Sequence, residues 1–222
     1  LAHPNSDRHK HIDKIFTGIA STILHTFEFD FKAGKKGPRA MELRTLGSAG
    51  LVVSRMGLGM AALGRPGYIN LEHAHDLACN YDQAAMERKA HEVLDAAWEA
   101  GIRYFDAARS YGLGEKFLGS WLTVRAVLPE SVTVGSKWGY TYTADWKIQA
   151  QAHEIKEHSL ATLQRQRRET MALLNGYLDL YQIHSATTES GVLENREVLR
   201  ELVRHRSHRQ GSAGQWAPDR PE

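Results

Sequence analysis

Four polar residues stand where runs of apolar, β-branched or aromatic residues stop. Asp106 follows Ile102-Arg103-Tyr104-Phe105, and Tyr111, with Gly112 after it, comes five residues later. Lys137 follows Val132-Thr133-Val134-Gly135-Ser136, and His184 follows Leu180-Tyr181-Gln182-Ile183. A phenol with a pKa near 10 is a poor acid at neutral pH. A neighbouring ammonium favours the phenolate and lowers that pKa, so Lys137 is expected to act on Tyr111 in this way. Asp106 would hold Lys137 charged and in place, and His184 would donate a hydrogen bond to a substrate carbonyl and orient it. Such a group protonates an oxygen as negative charge develops on it. Carbonyl reduction by hydride needs an acid of this kind, with the hydride coming from a cofactor.

Each residue alone has an ordinary reading. An Asp after a strand is often a helix N-cap, Tyr111 could be loop packing, Lys137 a solvated loop residue and His184 a satisfied core histidine. Their succession at strand ends, in chain order, argues for a shared pocket. In parallel α/β folds the C-terminal strand ends converge on one face, and active sites lie there.

The elements that must position them alternate. Residues 43–46 and 51–53 flank Gly47-Ser48-Ala49-Gly50 as a β-hairpin, and a short strand is expected at 56–61. Residues 62–82 read as a loop, with Gly64, Pro66, Gly67 and Asn70 as turn residues. Met86, Ala90, Val93, Leu94, Ala97 and Trp98 make one apolar helical face, and Gly101 stands at its C-terminal cap. Strands are predicted at 102–107, 131–136 and 177–183. Phe117, Leu118, Trp121 and Leu122 mark a second helix. A long helix is expected from about residue 153 to 174, with a solvated polar middle at 164–169. Val198, Leu199, Leu202 and Val203 mark a fourth. Strands alternating with helices argue for four βα units on a parallel sheet.

The chain has 222 residues, 42% hydrophobic and 24% charged, with a formal net charge of +2. This composition excludes a wholly disordered or collagen-like chain and leaves no general nucleic-acid footprint. Cys79 is the single cysteine, so neither an intramolecular disulfide nor a cysteine zinc ribbon can form, and no metal site is expected. No apolar run approaches the ~20 residues of a membrane-spanning helix, so a soluble protein with no membrane partner is expected, in the cytoplasm. Residues 1–40 hold five of the ten lysines and four of the six phenylalanines, whereas the basic residues after Met41 are mostly arginine. They read as an atypical, disordered extension before a domain at 41–206. Residues 207–222 are polar, aperiodic and proline-containing, and read as a disordered tail.

At these residues the sequence resembles the aldo-keto reductase family, from Met41 to about Arg206. The resemblance begins with Gly47-Ser48-Ala49-Gly50-Leu51-Val52-Val53-Ser54-Arg55-Met56-Gly57-Leu58-Gly59-Met60. It continues through Phe105-Asp106-Ala107-Ala108-Arg109-Ser110-Tyr111-Gly112, Ser136-Lys137-Trp138-Gly139-Tyr140 and Asp179-Leu180-Tyr181-Gln182-Ile183-His184. It implies a catalytic four of Asp106, Tyr111, Lys137 and His184, with Tyr111 as general acid. It implies that Gly59, Met60 and Asp106 lie near a nicotinamide and that Trp138 lines the substrate pocket. It also implies NADPH as cofactor, with NADH as the alternative, and an aldehyde, ketone or sugar as substrate. The family often has threonine where this chain has Ala107.

The fold implied is α/β, a (β/α)8 TIM-barrel type with an N-terminal hairpin. Here it is expected to be truncated to about four βα units, since residues 41–222 fall short of the ~250 typical of a closed barrel. The missing half would supply most of the cofactor grip, and open sheet edges would invite self-association. Reductase activity of the chain is therefore in question, and a non-catalytic remnant or regulatory binding module is the main alternative. A nucleic-acid binder acting through residues 1–40 is a weaker one.

Overall fold

The computed structural model describes residues 41–67 and 80–206. The expectations for residues 1–40, for 207–222 and for most of the 62–82 loop, Cys79 included, lie outside these. The first hairpin forms as expected. β1 (Leu43–Leu46) and β2 (Leu51–Ser54) pair antiparallel, Leu43 opposite Ser54 and Leu46 opposite Leu51. Gly50, at φ +71°, closes the turn between them, a left-handed conformation that glycine adopts without a Cβ clash.

This hairpin is fastened to the end at which the main sheet begins. That sheet has four parallel strands in chain order: β3 (Leu58–Gly59), β4 (Tyr104–Asp106), β5 (Thr133–Trp138) and, after the short β6 (Tyr140–Tyr142) and β7 (Glu154–Lys156), β8 (Leu178–Ile183). Thr133 Oγ1, at the start of β5, donates to Val52 O at 2.7 Å. The backbone N–H of Arg103, just before β4, donates to Ser54 Oγ at 2.8 Å. The opposite end of the sheet is left to the loops that follow the strands.

Among the described residues four helices follow the four strands: α1 (Gln83–Glu99), α2 (Gly114–Val124), α3 (Leu160–Leu174) and α4 (Arg196–Arg206). Asp82 caps α1 by accepting from the Ala85 N–H at 3.0 Å, and Ser159 caps α3 by accepting from Thr162 N–H at 3.1 Å. The stripe Met86, Ala90, Leu94 and Ala97 of α1 is buried with Phe117, Leu118, Trp121 and Leu122 of α2 against Phe105 and Val134 of the sheet. A second buried cluster joins Trp138 to Leu163, Val192 and Val198. Because strand residues alternate between faces, Phe105, Val134 and Trp138 face the helices, while Asp106 and Lys137 stand on the other face.

Three expectations need correction. The helix expected from residue 153 starts at Leu160. Residues Glu154–Lys156 instead form β7, antiparallel to β6 (Tyr140–Tyr142), with Thr141 opposite Ile155. That pairing links residues far apart in sequence, which local periodicity cannot register. The polar middle of α3 is not solvated at Gln166, which is buried. Its Oε1 accepts from Gly139 N–H at 2.8 Å and its Nε2 donates to Tyr140 O at 2.9 Å, so it satisfies the backbone where β5 passes into β6. The strand expected at 131–136 extends to Trp138, so Lys137 lies within it rather than after it.

Helices α2 and α3 approach so closely that a Cβ on Gly119 would collide with the Leu173 carbonyl oxygen. A backbone carbonyl inside a helix cannot swing aside as a side-chain tip can. Gly119→Ala should therefore destabilise the chain by about 2–3 kcal/mol, as overpacking does, despite the higher helix propensity of alanine. Urea unfolding followed by circular dichroism measures this, and an unchanged or raised midpoint would contradict the tight α2–α3 approach.

Candidate active site

Strand register sets the first two groups. Gly59 of β3 stands opposite Asp106 of β4, and Asp106 stands opposite Gly135 of β5, two residues before Lys137 on the same face. A Cβ on Gly135 would come within 3.1 Å of Tyr104 Oη and 3.4 Å of Asp106 Oδ1, so glycine leaves these polar groups their room. Lys137 Nζ pairs with Asp106 Oδ2. It also donates to Ala107 O at 3.1 Å and to Tyr111 Oη at 3.4 Å.

Tyr111 reaches this ammonium from the turn between β4 and α2. Arg65, a buried residue of the loop after β3, donates from Nη1 to Ser110 O at 3.0 Å and pairs with Glu154 Oε2 of β7 at 3.1 Å. Leu113 N–H donates to Gly64 O at 2.7 Å. The turn is thus tied to the β3 loop on one side and, through Arg65, to the β6–β7 hairpin.

His184 comes from the end of β8, where its N–H donates to Trp138 O at 2.9 Å. Its ring meets the edge of Tyr111 at 5.7 Å between centroids and lies 4.8 Å from that of Tyr140. His158 Nε2 lies 2.9 Å from the His184 carbonyl oxygen. A carbonyl only accepts, so Nε2 is the protonated nitrogen of His158. Ser110 Oγ is 3.5 Å from His184 Nδ1, a long contact.

The structure therefore brings Asp106, Tyr111, Lys137 and His184 together. Two other sequence-predicted residues stand apart. Trp138 is fully buried against the helices, on the face opposite Lys137, and presents no surface to a substrate pocket; strand alternation excludes the expected role. The Met60 side chain is fully buried, and its backbone is engaged too: N–H donates to Asp106 O at 2.8 Å and O accepts from Gly64 N–H at 3.0 Å. Gly59 differs, since open space lies where its Cβ would stand. Arg65, Glu154 and His158 were not singled out from sequence, because each acts through partners distant along the chain. Arg109 stands inside the stretch 105–112 that carries the family resemblance, which is the local signal for it.

The electrostatics overturn one expectation. Burial pushes the Tyr111 phenol up to about 12, and the Asp106 and Glu154 carboxylates add to this while Arg65 opposes it. In the free protein the phenol is not brought toward neutrality, because its burial dominates and the Asp106 carboxylate acts in the same direction. Tyr111 carries its proton at neutral pH. Burial and the Lys137 ammonium push the His184 imidazole below its ordinary range, against Glu154 and Asp106. Burial lowers His158 as well, with the His184 carbonyl opposing. Among the described residues no cluster of three or more His, Cys, Asp or Glu is placed to hold a metal ion. None of the described helices is long and apolar enough to cross a membrane.

Three strands and the turn after β4 thus gather an acidic, a basic, an imidazole and a phenolic group, and comparison with known proteins supplies the class. Residues 55–212 match the family model described as Aldo/keto reductase family, and the chain belongs to that family. Pyridoxal 4-dehydrogenase of Microbacterium luteolum is 36% identical over 107 residues, covering 47% of this chain and 26% of the relative. The uncharacterized oxidoreductase YqkF of Bacillus subtilis (strain 168) is 29% identical over 165 residues, covering 73% of this chain and 45% of the relative. A solved structure described as an aldo-keto reductase from Pseudomonas aeruginosa aligns with a TM-score of 0.55 at 25% identity, covering 78% of this chain and 60% of that one. The match thus spans between a quarter and about half of these curated relatives' length. Such neighbours imply a (β/α)8 barrel type of fold, and the described residues show four consecutive strand–helix units with a parallel sheet.

The lowered imidazoles make a pH prediction. The fold favours neutral His158 and His184, so on acidification the unfolded chain takes up protons first, near the ordinary histidine pKa of about 6.5. The stability these residues hold at pH 7 should fall as pH drops from about 6.5 through their folded pKa values. Titration of the imidazole C2–H resonances by NMR should give midpoints below about 6.5 for both. Midpoints at or above that value would contradict the burial described.

Proposed function

We propose that this site reduces the carbonyl group of a small aldehyde, ketone or sugar, with NADPH as hydride donor and NADH as the alternative. The observation that carries the reading is the triangle of Lys137, Asp106 and Tyr111, with the ring of His184 at 5.7 Å from that of Tyr111. A carbonyl oxygen placed between Tyr111 and His184 would meet two neutral hydrogen-bond donors. As negative charge grows on that oxygen, the Tyr111 hydroxyl gives up its proton, since an alkoxide is a much stronger base than a phenolate. Lys137 stabilises the phenolate that remains, and Asp106 keeps the ammonium oriented.

The residues fit the nicotinamide end of the cofactor. Gly59 leaves open space beside Asp106 on the same sheet face, room for a flat ring that a side chain there would fill. A bound reduced nicotinamide supplies the hydride that the carbonyl carbon accepts. The choice of NADPH over NADH rests on the family resemblance.

Titration of the purified chain with NADPH, followed by quenching of tryptophan fluorescence, tests the cofactor assignment. Saturable quenching in the micromolar range is expected, and its absence in a folded chain would favour a non-catalytic binding module. Tyr111→Phe should lower the turnover of an aldehyde substrate by about 10²–10⁴-fold, the usual contribution of a general acid. NADPH-dependent quenching should persist in that variant. A Tyr111→Phe protein with wild-type turnover would remove Tyr111 from the reaction.

A further inference from the structure

Tyr111 and Lys137 hang on two backbone runs, residues 107–111 and 136–138, and what holds the two at a fixed separation lies behind the sheet. Glu115, in the first turn of α2, is 1% exposed. Its Oε1 accepts from Ser136 Oγ at 2.6 Å and from Thr170 Oγ1 of α3 at 2.7 Å. Its Oε2 pairs with Arg109 Nη1. Arg109 in turn pairs with Glu169 of α3, Nη2 to Oε2 at 2.9 Å, and its backbone N–H donates to Lys137 O at 3.1 Å. One buried carboxylate thus grips the neighbour of Lys137, the residue two before Tyr111, and the helix behind both.

We propose that Glu115 is a positioning residue: it locks the Tyr111 turn to the Lys137 strand, so that Lys137 Nζ reaches Tyr111 Oη. This rests on the carbonyl-reductase reading and deepens it. A buried ion pair is a weak source of net stability, because desolvation offsets much of the attraction, whereas its directional bonds fix geometry. The Lys137–Tyr111 contact, at 3.4 Å, stands near the outer limit of a hydrogen bond, so a small slip of the turn breaks it. A displacement of ~1 Å in such a site costs about 10²-fold in rate.

Glu115→Gln keeps the size and the acceptor for Ser136 and Thr170, but removes the charge that Arg109 pairs with. Hydrogen exchange of the full chain, read by mass spectrometry, should show residues 107–113 exchanging at least about tenfold faster than wild type, with α1 unchanged. With an aldehyde substrate, kcat should fall roughly 10- to 100-fold while KM stays within about threefold. Wild-type exchange at 107–113 in folded Glu115→Gln, or an equal rise in α1, would overturn the positioning role. If Glu115→Gln does not fold, Glu169→Gln loosens only the outer grip on Arg109. A rise of about threefold confined to 107–113 then supports the role, and no rise there overturns it. Wild-type chain without turnover overturns the reductase reading alone, since the exchange measurement judges the clamp independently of activity.

Discussion

Lys137 has three protons and, at the strand ends, three oxygens to give them to: the Asp106 carboxylate, the Ala107 carbonyl and the Tyr111 phenol. Its side chain is only 17% exposed, so the ammonium needs these partners to offset its lost hydration. The carboxylate binds it first and the carbonyl second. The phenol receives the third and longest bond, and it is the most easily moved. Much of the rest of the molecule bears on that third bond. The parallel register fixes Asp106 two positions from Lys137 on adjacent strands, and the turn after β4 must bring Tyr111 back over both.

Strand alternation keeps two kinds of chemistry apart. On β5, Gly135 and Lys137 share one face, while Val134, Ser136 and Trp138 share the other. A slip of one residue would bury an ammonium among the helices and turn an indole toward the site. The buried Trp138–Leu163–Val198 cluster and the Ser136–Glu115 bond both oppose that slip, one by apolar burial and the other by a directional bond. The two faces are thus interdependent: the site on one side inherits its register from packing on the other.

The parts legible in sequence were those encoded locally. The α1 stripe and the glycine turn of the hairpin each lie within a few residues and appear in the structure where the local pattern put them. What was not legible depends on contacts between distant residues. Ile155 pairs with Thr141 and Gln166 serves the backbone of Gly139 and Tyr140; read in isolation, both look like parts of one polar helix. The substrate-pocket role of Trp138 came from the family resemblance, whereas its burial with Leu163 and Val198 depends on residues distant along the chain. Arg65 and Glu154 lie 89 positions apart and meet only because the turn and the β6–β7 hairpin lie side by side.

The direction of the pKa shifts has a chemical meaning that a static list of residues would miss. A phenol lowered toward neutrality by a free ammonium would lose its proton before substrate arrived, and a protonated imidazole would add a second cation to the site. Here burial keeps Tyr111 protonated and His184 neutral, so both can donate hydrogen bonds to an uncharged carbonyl. The Lys137–Asp106 pair is close to neutral as a unit from a distance, yet presents a positive end to Tyr111. On the proposed reductase reading, the field that favours a phenolate would become effective when the proton leaves, at the moment negative charge has moved onto the substrate oxygen. On that reading the site would bind the ground state weakly and the developing alkoxide strongly, which is the difference that accelerates a reaction.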